Sequence, residues 1–301
     1  MTLPSPAVAE EIAGGTYETL RWETDGPIAV VTLSRPEVLN AFSVRMAHDI
    51  LGVLERADAD PEVRALIFTG EGRGFCAGMD LQAEGNVFGL DESVDPFGPE
   101  AEKIRDLGGR ISLRIFRMTT PVIAAINGVA VGVGATMTLP MDARIMSTKG
   151  RLGFVFSKIG VCMEACSSWF LPRLVGMSTA LDWAMSGEIV PADQCLAAGY
   201  ATKVVEPEAL LDEAKAVARR YIDGVSPVSV AVNRQMLWRM AGAEHPMAAH
   251  ELDSRVIFAL SMQDGHEGVT SFVEKRAPDF TRKAPTDLPQ VFDWASEPDF
   301  K

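Results

Sequence analysis

Residues 123–137 read Ile-Ala-Ala-Ile-Asn-Gly-Val-Ala-Val-Gly-Val-Gly-Ala-Thr-Met. An apolar, β-rich run ends at Asn127-Gly128, and Gly132 and Gly134 then lead into apolar residues that can continue as a helix. Glycines at such a junction let backbone N–H groups approach a ligand closely, and the positive end of the helix dipole points towards it. The stretch therefore predicts a strand-turn-helix unit whose turn can bind a ligand.

A second glycine-rich turn lies upstream, at residues 70–81, after the strand-like run Ala65-Leu-Ile-Phe-Thr69. Two N–H donors that converge on one oxygen form an oxyanion hole, which stabilises a thioester enolate or a tetrahedral adduct. Neither a G-x-G-x-x-G that opens a helix early in the chain nor a G-x-x-x-x-G-K-[ST] is present, which disfavours a dinucleotide or phosphate loop. Packing alone remains the alternative for either turn taken separately.

Turn signals and hydrophobic periodicity predict an α/β fold with a helical C-terminal part. The predicted strands are residues 16–22, 28–34, 65–69, 121–126 and 143–147. Ser43 is the predicted cap of a helix that runs to about Ala59, and residues 84–99 are predicted to be a loop. Further helices are predicted at residues 100–118, after Gly134, and at 210–222, 228–241, 247–262 and 265–274.

Composition and charge exclude several classes of function. The 301 residues carry a net charge of −13 with no basic stripe, which argues against binding to nucleic acid. No apolar run reaches the roughly 20 residues of a membrane span, and no secretory signal pattern is seen, so a cytoplasmic location is expected. The four cysteines lack metal-ligand spacing, so no metal site is predicted and reduced, packed thiols are expected at Cys76, Cys162, Cys166 and Cys195.

Four segments resemble the crotonase, or enoyl-CoA hydratase/isomerase, family. They are Arg35-Pro-Glu-Val-Leu-Asn-Ala-Phe-Ser43, Phe75-Cys-Ala-Gly-Met-Asp-Leu81, Asn127-Gly-Val-Ala-Val-Gly-Val-Gly134 and residues 186–200. The resemblance spans about residues 16–280 and implies a spiral of ββα units. It also implies a core at residues 1–205 with the active site, a helical trimerisation region at 206–280 and a tail at 281–301.

The resemblance assigns roles by position. The two oxyanion N–H groups would belong to Met79 and Val133, and the substrate would be an acyl-CoA or enoyl-CoA thioester with no separate cofactor. Arg35 is a candidate contact for a CoA phosphate, and a solvated arginine is its alternative. The groove positions, for which ordinary packing is the alternative, are Val38, Ala41, Ala77, Gly78, Asp80, Leu81, Gly132, Thr136 and Phe156.

The catalytic side chains depart from the pattern of the family hydratases, which carry two glutamates. Thr136 and Phe156 stand at those positions, and neither side chain can exchange a proton near neutral pH. Glu164 matches the single acidic residue that family isomerases place over the acyl chain. Its apolar neighbours are expected to raise its pKa more than a helix dipole lowers it. The resemblance therefore implies Δ3,Δ2-enoyl-CoA isomerisation with Glu164 as the base.

Two other functions stay open: a hydratase or related enzyme with unidentified acid and base groups, and an acyl-CoA-binding protein without activity. The acyl group itself is not defined by the sequence. His48, His245, His250 and His266 are predicted to be surface or capping residues, and Thr136 to bond its own preceding turn. A homotrimer or dimer of trimers is expected. This expectation is supported by apolar side chains in residues 258–273 and in the tail, which can form an interface between subunits. They are Phe258, Leu260, Met262, Val269, Phe272, Val273, Leu288, Val291, Phe292 and Trp294.

Overall fold

The computed structural model of the protein describes residues 6–81, 90–294 and 297–300. Its larger sheet has six strands in the order β1-β2-β3-β5-β7-β10. β1 pairs with β2 in antiparallel fashion and every other pairing is parallel. The strands are β1 (Leu20–Asp25), β2 (Ile28–Leu33), β3 (Ala65–Gly70), β5 (Val122–Ile126), β7 (Ala143–Ser147) and β10 (Lys203–Val205).

A smaller sheet of four short strands runs in the order β4-β6-β8-β9. Its strands are β4 (Gly74–Cys76), β6 (Val129–Val131), β8 (Arg151–Gly153) and β9 (Ile189–Pro191). β3, β5 and β7 each continue after a few residues into β4, β6 and β8, so the chain passes three times from the large sheet to the small one. These repeated passages, together with the helices that follow β10, give the mixed α/β architecture with a helical C-terminal region that the sequence predicts.

Twelve helices complete the described part of the chain. They are α1 (Pro6–Ala13), α2 (Val44–Ala59), α3 (Leu107–Arg117), α4 (Val133–Thr136), α5 (Ser167–Val175), α6 (Met177–Ser186), α7 (Ala192–Ala197), α8 (Leu210–Arg220), α9 (Pro227–Met240), α10 (Pro246–Ser261), α11 (Asp264–Glu274) and α12 (Ala284–Asp287). Short 3₁₀ helices lie at residues 36–38, 101–104, 155–159 and 207–209. No helix in the described segments is both long and apolar enough to cross a membrane.

The two faces of the large sheet bury different sets of side chains. On β2, Ala29, Val31 and Leu33 face the main core under α2 and α3, whereas Ile28 and Val30 face α8. This alternation follows from the two-residue period of a strand. Because both faces are covered, the central strands read as continuous apolar runs.

Two predicted elements begin several residues later in the structure than predicted. β1 begins at Leu20 rather than residue 16, because Thr19 donates from its N–H (2.9 Å) and Oγ1 (2.8 Å) to Asp49 of α2. The helix predicted at 100–118 begins at Leu107, where Asp106 is the N-cap and accepts from the Gly109 N–H. Of the predicted loop, residues 84–89 lie outside the described residues and 90–99 form turns.

The C-terminal tail lies against helices of the same chain. Leu288, Val291, Phe292 and Trp294 pack with a cluster formed by α9 and α10, and the Trp294 indole donates to the carbonyl of Pro289. Leu260 packs with this cluster too, whereas Phe258 and Phe272 are exposed.

Candidate active site

The two glycine-rich turns meet in space. Gly78 in the upstream turn and Gly132 in the downstream turn both have positive φ angles, of 95° and 54°. A Cβ atom built on Gly132 would lie 3.7 Å from the Cα of Gly78, and one on Gly78 would lie 3.0 Å from the carbonyl oxygen of Val131. The positive φ angle favours glycine at both positions, and at Gly78 the close approach of the Val131 carbonyl does so as well.

A parallel bridge fixes the upstream turn to the segment before α2. The Phe42 N–H donates to the carbonyl of Gly78 (2.7 Å), and the Asp80 N–H donates to the carbonyl of Phe42 (2.8 Å). The Met79 N–H lies between these two bonds and is not part of them. The bridge therefore holds Met79 in place without using its donor.

Two backbone donors are left free beside the contact of the turns. Neither the Met79 N–H nor the Val133 N–H has an acceptor among residues 6–81, 90–294 and 297–300. Val133 is the first residue of α4, where a backbone N–H has no partner within its own helix. Since Met79 and Val133 line one cavity, the two N–H groups can serve a ligand oxygen there.

The cavity at this contact has a volume of about 380 Å³. Its walls are mainly apolar, and the side chains that line it include Phe42, Met79, Leu81, Leu90, Leu107, Val131, Val133, Val155, Phe156, Ile159 and Val161. Asp106 and Glu164 are its two carboxyl groups, and no basic side chain is found among the described residues that line it. The cavity therefore favours an uncharged, apolar ligand group.

Glu164 is held in the cavity wall by its neighbours. The Thr136 Oγ1 donates to Glu164 Oε1 at 2.5 Å, and Gly108 of α3 lies so close that a Cβ there would overlap Glu164 Oε2. Ala165 and Cys166 follow with positive φ angles, and α5 begins only at Ser167. Glu164 thus lies in the turn that precedes α5, not within the helix.

The Glu164 carboxyl has a strongly shifted pKa. Burial, aided by the Asp106 carboxyl, raises this pKa to about 8 against the opposing effect of the Thr136 hydrogen bond. The direction is the one expected from the sequence, because loss of water disfavours the charged form. Glu164 can therefore exchange a proton near neutral pH.

Asp106 is a site residue that the sequence did not reveal. Its Oδ1 accepts from the Gly109 N–H at 2.5 Å and from the Ala165 N–H at 3.3 Å. The first bond caps α3 and the second ties that cap to the residue after Glu164. An aspartate before Leu107 is a recognisable N-cap signal, but the prediction of a helix from residue 100 concealed it.

The predicted site residues, catalytic and groove positions together, separate into two groups. Those that line the cavity are Ala77, Gly78, Met79, Leu81, Gly132, Val133, Phe156 and Glu164. Val38, Ala41, Asp80 and Thr136 lie outside its lining. Thr136 is fully buried and supports Glu164 from behind, so the expectation that its hydroxyl bonds the preceding turn is wrong.

The Arg35 guanidinium is partly exposed and is engaged by two neighbouring groups. Its guanidinium pairs with the Asp80 carboxylate at 2.9 Å and donates to the carbonyl of Ala41 at 2.6 Å. These bonds join the segment before α2 to the upstream turn. Arg35 and Asp80 therefore stabilise the architecture of the site from outside the cavity.

The histidine and cysteine predictions are partly corrected. His48 is buried, not superficial; it borders a separate groove of about 1000 Å³ between α1 and α2, and burial, with Arg110 nearby, lowers its pKa. His245 caps α10 as predicted.

Cys162 is exposed, unlike the buried Cys76. The described residues contain no group of three or more His, Cys, Asp or Glu side chains that could hold a metal ion.

The raised pKa of Glu164 should reduce the stability of the native state at alkaline pH. At Glu164 the folded protein binds more protons than the unfolded chain between pH 4.5 and about 8, so the contribution of this group to the free energy of unfolding falls across this window and then stays level. Relative to wild type, Glu164→Gln should gain about 2 kcal/mol between pH 5 and pH 9, a value reduced for the contact of the carboxyl with solvent. Urea unfolding at both pH values measures this difference.

Glu188→Gln is the matched control, because Glu188 is exposed and does not line the cavity. If both variants gained the same free energy of unfolding relative to wild type between pH 5 and pH 9, ionisation of Glu164 would not be specifically unfavourable in the folded state.

Comparison with known proteins adds the family. A family model described as enoyl-CoA hydratase/isomerase matches residues 23–283. An enoyl-CoA hydratase of Alternaria alternata is 38% identical over 274 residues, which cover 88% of this chain and 89% of that protein. A 1,2-epoxyphenylacetyl-CoA isomerase of Escherichia coli is 33% identical over 266 residues, with coverages of 85% and 95%.

Solved structures agree with these relatives. An enoyl-CoA hydratase from Mycobacterium smegmatis is similar with a TM-score of 0.75 and 26% identity, covering 88% of this chain and 100% of that one. A monofunctional enoyl-CoA isomerase from M. smegmatis is similar with a TM-score of 0.64 and 26% identity, covering 77% and 98%. Both hydratases and isomerases are therefore among the proteins that this chain resembles.

Proposed function

The chain belongs to the enoyl-CoA hydratase/isomerase family, and we propose that within it the protein is a Δ3,Δ2-enoyl-CoA isomerase with Glu164 as its base. The observation that carries the proposal is a single glutamate with a pKa of about 8 in an apolar cavity beside two free backbone donors. At the positions of the hydratase glutamates stand Thr136, which is buried behind Glu164, and Phe156, which is part of the apolar wall.

The proposed reaction takes a proton from Cα of the acyl chain and returns one at Cγ, so the double bond shifts by one position. The thioester oxygen accepts from the N–H groups of Met79 and Val133, which stabilise the negative charge of the dienolate as it forms. Glu164 removes the proton from Cα, and a proton is returned at Cγ. No water has to be activated, so the apolar walls that exclude water suit this step.

Incubation with 3-enoyl-CoA and, separately, with 2-enoyl-CoA tests this function. Conversion of 3-enoyl-CoA into 2-enoyl-CoA without a 3-hydroxyacyl product is the expected result. Binding of both thioesters without any turnover would overturn the assignment and indicate an acyl-CoA-binding protein.

Hydration is the second candidate, and one observation favours it: the cavity contains a second carboxyl, Asp106. Two carboxyls can divide the work of removing a proton from water and giving a proton to Cα. Formation of 3-hydroxyacyl-CoA from 2-enoyl-CoA at a rate above that of isomerisation would establish this candidate instead.

Self-association is part of the proposal. Large apolar side chains on α10 and α11 remain exposed in the single chain, namely Ile257, Phe258, Val269, Phe272 and Val273. Exposed apolar side chains on two helices that contact each other indicate a protein interface, and a trimer would cover them with more than the roughly 1,000 Å² typical of a biological contact.

Phe272→Glu should therefore lower the molar mass in solution. The Phe272 side chain is 84% exposed in the single chain, and a buried, unpaired charge would oppose assembly. Multi-angle light scattering at micromolar concentration should give a trimer or hexamer for wild type and smaller species for the variant.

Phe97→Glu is the control, because Phe97 is 96% exposed and lies outside these helices. A wild-type mass that corresponds to one chain would contradict the proposed assembly.

A further inference from the structure

Asp106 and Glu164 form a pair of carboxyls within one cavity. They come from different parts of the chain, the start of α3 and the turn before α5, and both line the cavity. The described lining residues include no lysine, arginine or histidine that could neutralise them. Two carboxylates in such a place repel each other, which favours a state with one proton between them.

The backbone fixes Asp106 next to Glu164. The Asp106 Oδ1 takes both backbone bonds, from Gly109 in α3 and from Ala165, the residue that follows Glu164. The Asp106 carboxyl lies within hydrogen-bonding reach of the Glu164 carboxyl, and this contact helps to raise the Glu164 pKa. A proton can therefore pass directly between the two groups.

Glu164 is oriented separately by Thr136. Because the Thr136 hydroxyl donates to Oε1, this bond favours the ionised form of Glu164. Asp106 instead favours the protonated form. Thr136 and Asp106 thus shift the Glu164 pKa in opposite directions. Both protonation states of Glu164 have a hydrogen-bond partner.

We propose that Asp106 is a second catalytic residue, which gives the proton to Cγ while Glu164 removes the proton from Cα. This inference rests on the proposed isomerase function. In the resting pair the proton is on Glu164; its transfer to Asp106 creates a Glu164 carboxylate and an Asp106 acid. The Cα–H bond breaks and an O–H bond forms on Glu164. The Asp106 O–H bond breaks as the Cγ–H bond forms, which restores the resting pair.

A pair of this kind makes the removed and the returned proton different ones, whereas a single carboxyl would carry the same one. A single turnover with excess enzyme and a 3-enoyl-CoA doubly deuterated at Cα tests this difference in ordinary water. Wild type should give 2-enoyl-CoA with deuterium at Cα alone. Mass spectrometry of the product distinguishes this outcome from deuterium at both Cα and Cγ.

Asp106→Asn is the decisive variant, since asparagine retains an oxygen for the Gly109 and Ala165 donors and is a good N-cap. It should lower kcat at least about 10-fold and increase the fraction of product with deuterium at Cγ, because Glu164 must then perform both transfers. Glu102→Gln, which removes an exposed charge near the same helix start, should match wild type.

If wild type and Asp106→Asn give the same fraction of product with deuterium at Cγ, whether that fraction is high or low, the role of Asp106 is overturned. The isomerase assignment would remain intact. Absence of any 2-enoyl product from wild type overturns the isomerase assignment and the pair with it.

Discussion

Glu164→Gln is expected to lower kcat for isomerisation at least about 100-fold, the smaller effect typical of losing a general base. The amide has almost the shape of the protonated carboxyl. Its oxygen can still accept from Thr136 and its NH₂ group can donate to Asp106, so both contacts of Glu164 are retained. Only the exchange of a proton with the substrate is lost.

Steady-state kinetics with 3-enoyl-CoA measure kcat, and calorimetry with a saturated acyl-CoA measures the dissociation constant separately. The dissociation constant should stay within about threefold of wild type, because the free N–H groups and the apolar walls are unchanged. A variant that keeps more than about a tenth of the wild-type kcat would show that Glu164 is not the base.

Gly108→Ala is the second substitution with a large expected effect, of about 100-fold on kcat. A Cβ at this position would overlap Glu164 Oε2 and would approach Ala165 Cβ at 3.1 Å and Val133 Cγ2 at 3.2 Å. The carboxyl is the flexible end of a side chain, so it moves aside. A displacement of about 1 Å of a reacting group can cost about 100-fold in rate.

Stability should change little in the same variant. Alanine within a helix stabilises it by about 0.5–1 kcal/mol relative to glycine, and this gain offsets the tighter contacts. The melting temperature should therefore remain within a few degrees of wild type while activity collapses, a combination that general unfolding cannot produce.

Gly242→Ala provides the control, because a Cβ there meets no atom within 4 Å. It should leave kcat and melting temperature unchanged. If Gly108→Ala kept kcat within threefold of wild type, the position of the Glu164 carboxyl would not limit the reaction.

The sequence predicts those parts of the site that depend on local backbone chemistry. Glycines at 78 and 132 indicate two tight turns, and the structure brings both together with positive φ angles. Ser43 caps α2 as predicted, with its hydroxyl accepting from the Met46 N–H. Such signals are readable because each one involves residues only a few positions apart.

Contacts between distant segments escape prediction. Asp106 and Ala165 are separated by 59 positions, and no local pattern shows that the cap of one helix also holds the turn before another. The bond from Thr136 to Glu164 joins residues 28 positions apart, and Asp49 binds Thr19 across 30. The burial of His48 likewise depends on how α2 packs within the fold.

The two free donors of the cavity belong to the main chain at Met79 and Val133. Of the twenty amino acids only proline lacks a backbone N–H, so almost every mutation at these two codons would preserve both donors. The carboxyl, hydroxyl and phenyl groups around the cavity have no such protection, because each depends on the identity of one codon. Descendants of this gene could therefore acquire a new reaction through changes at positions 106, 136, 156 and 164, while inheriting the same two backbone donors.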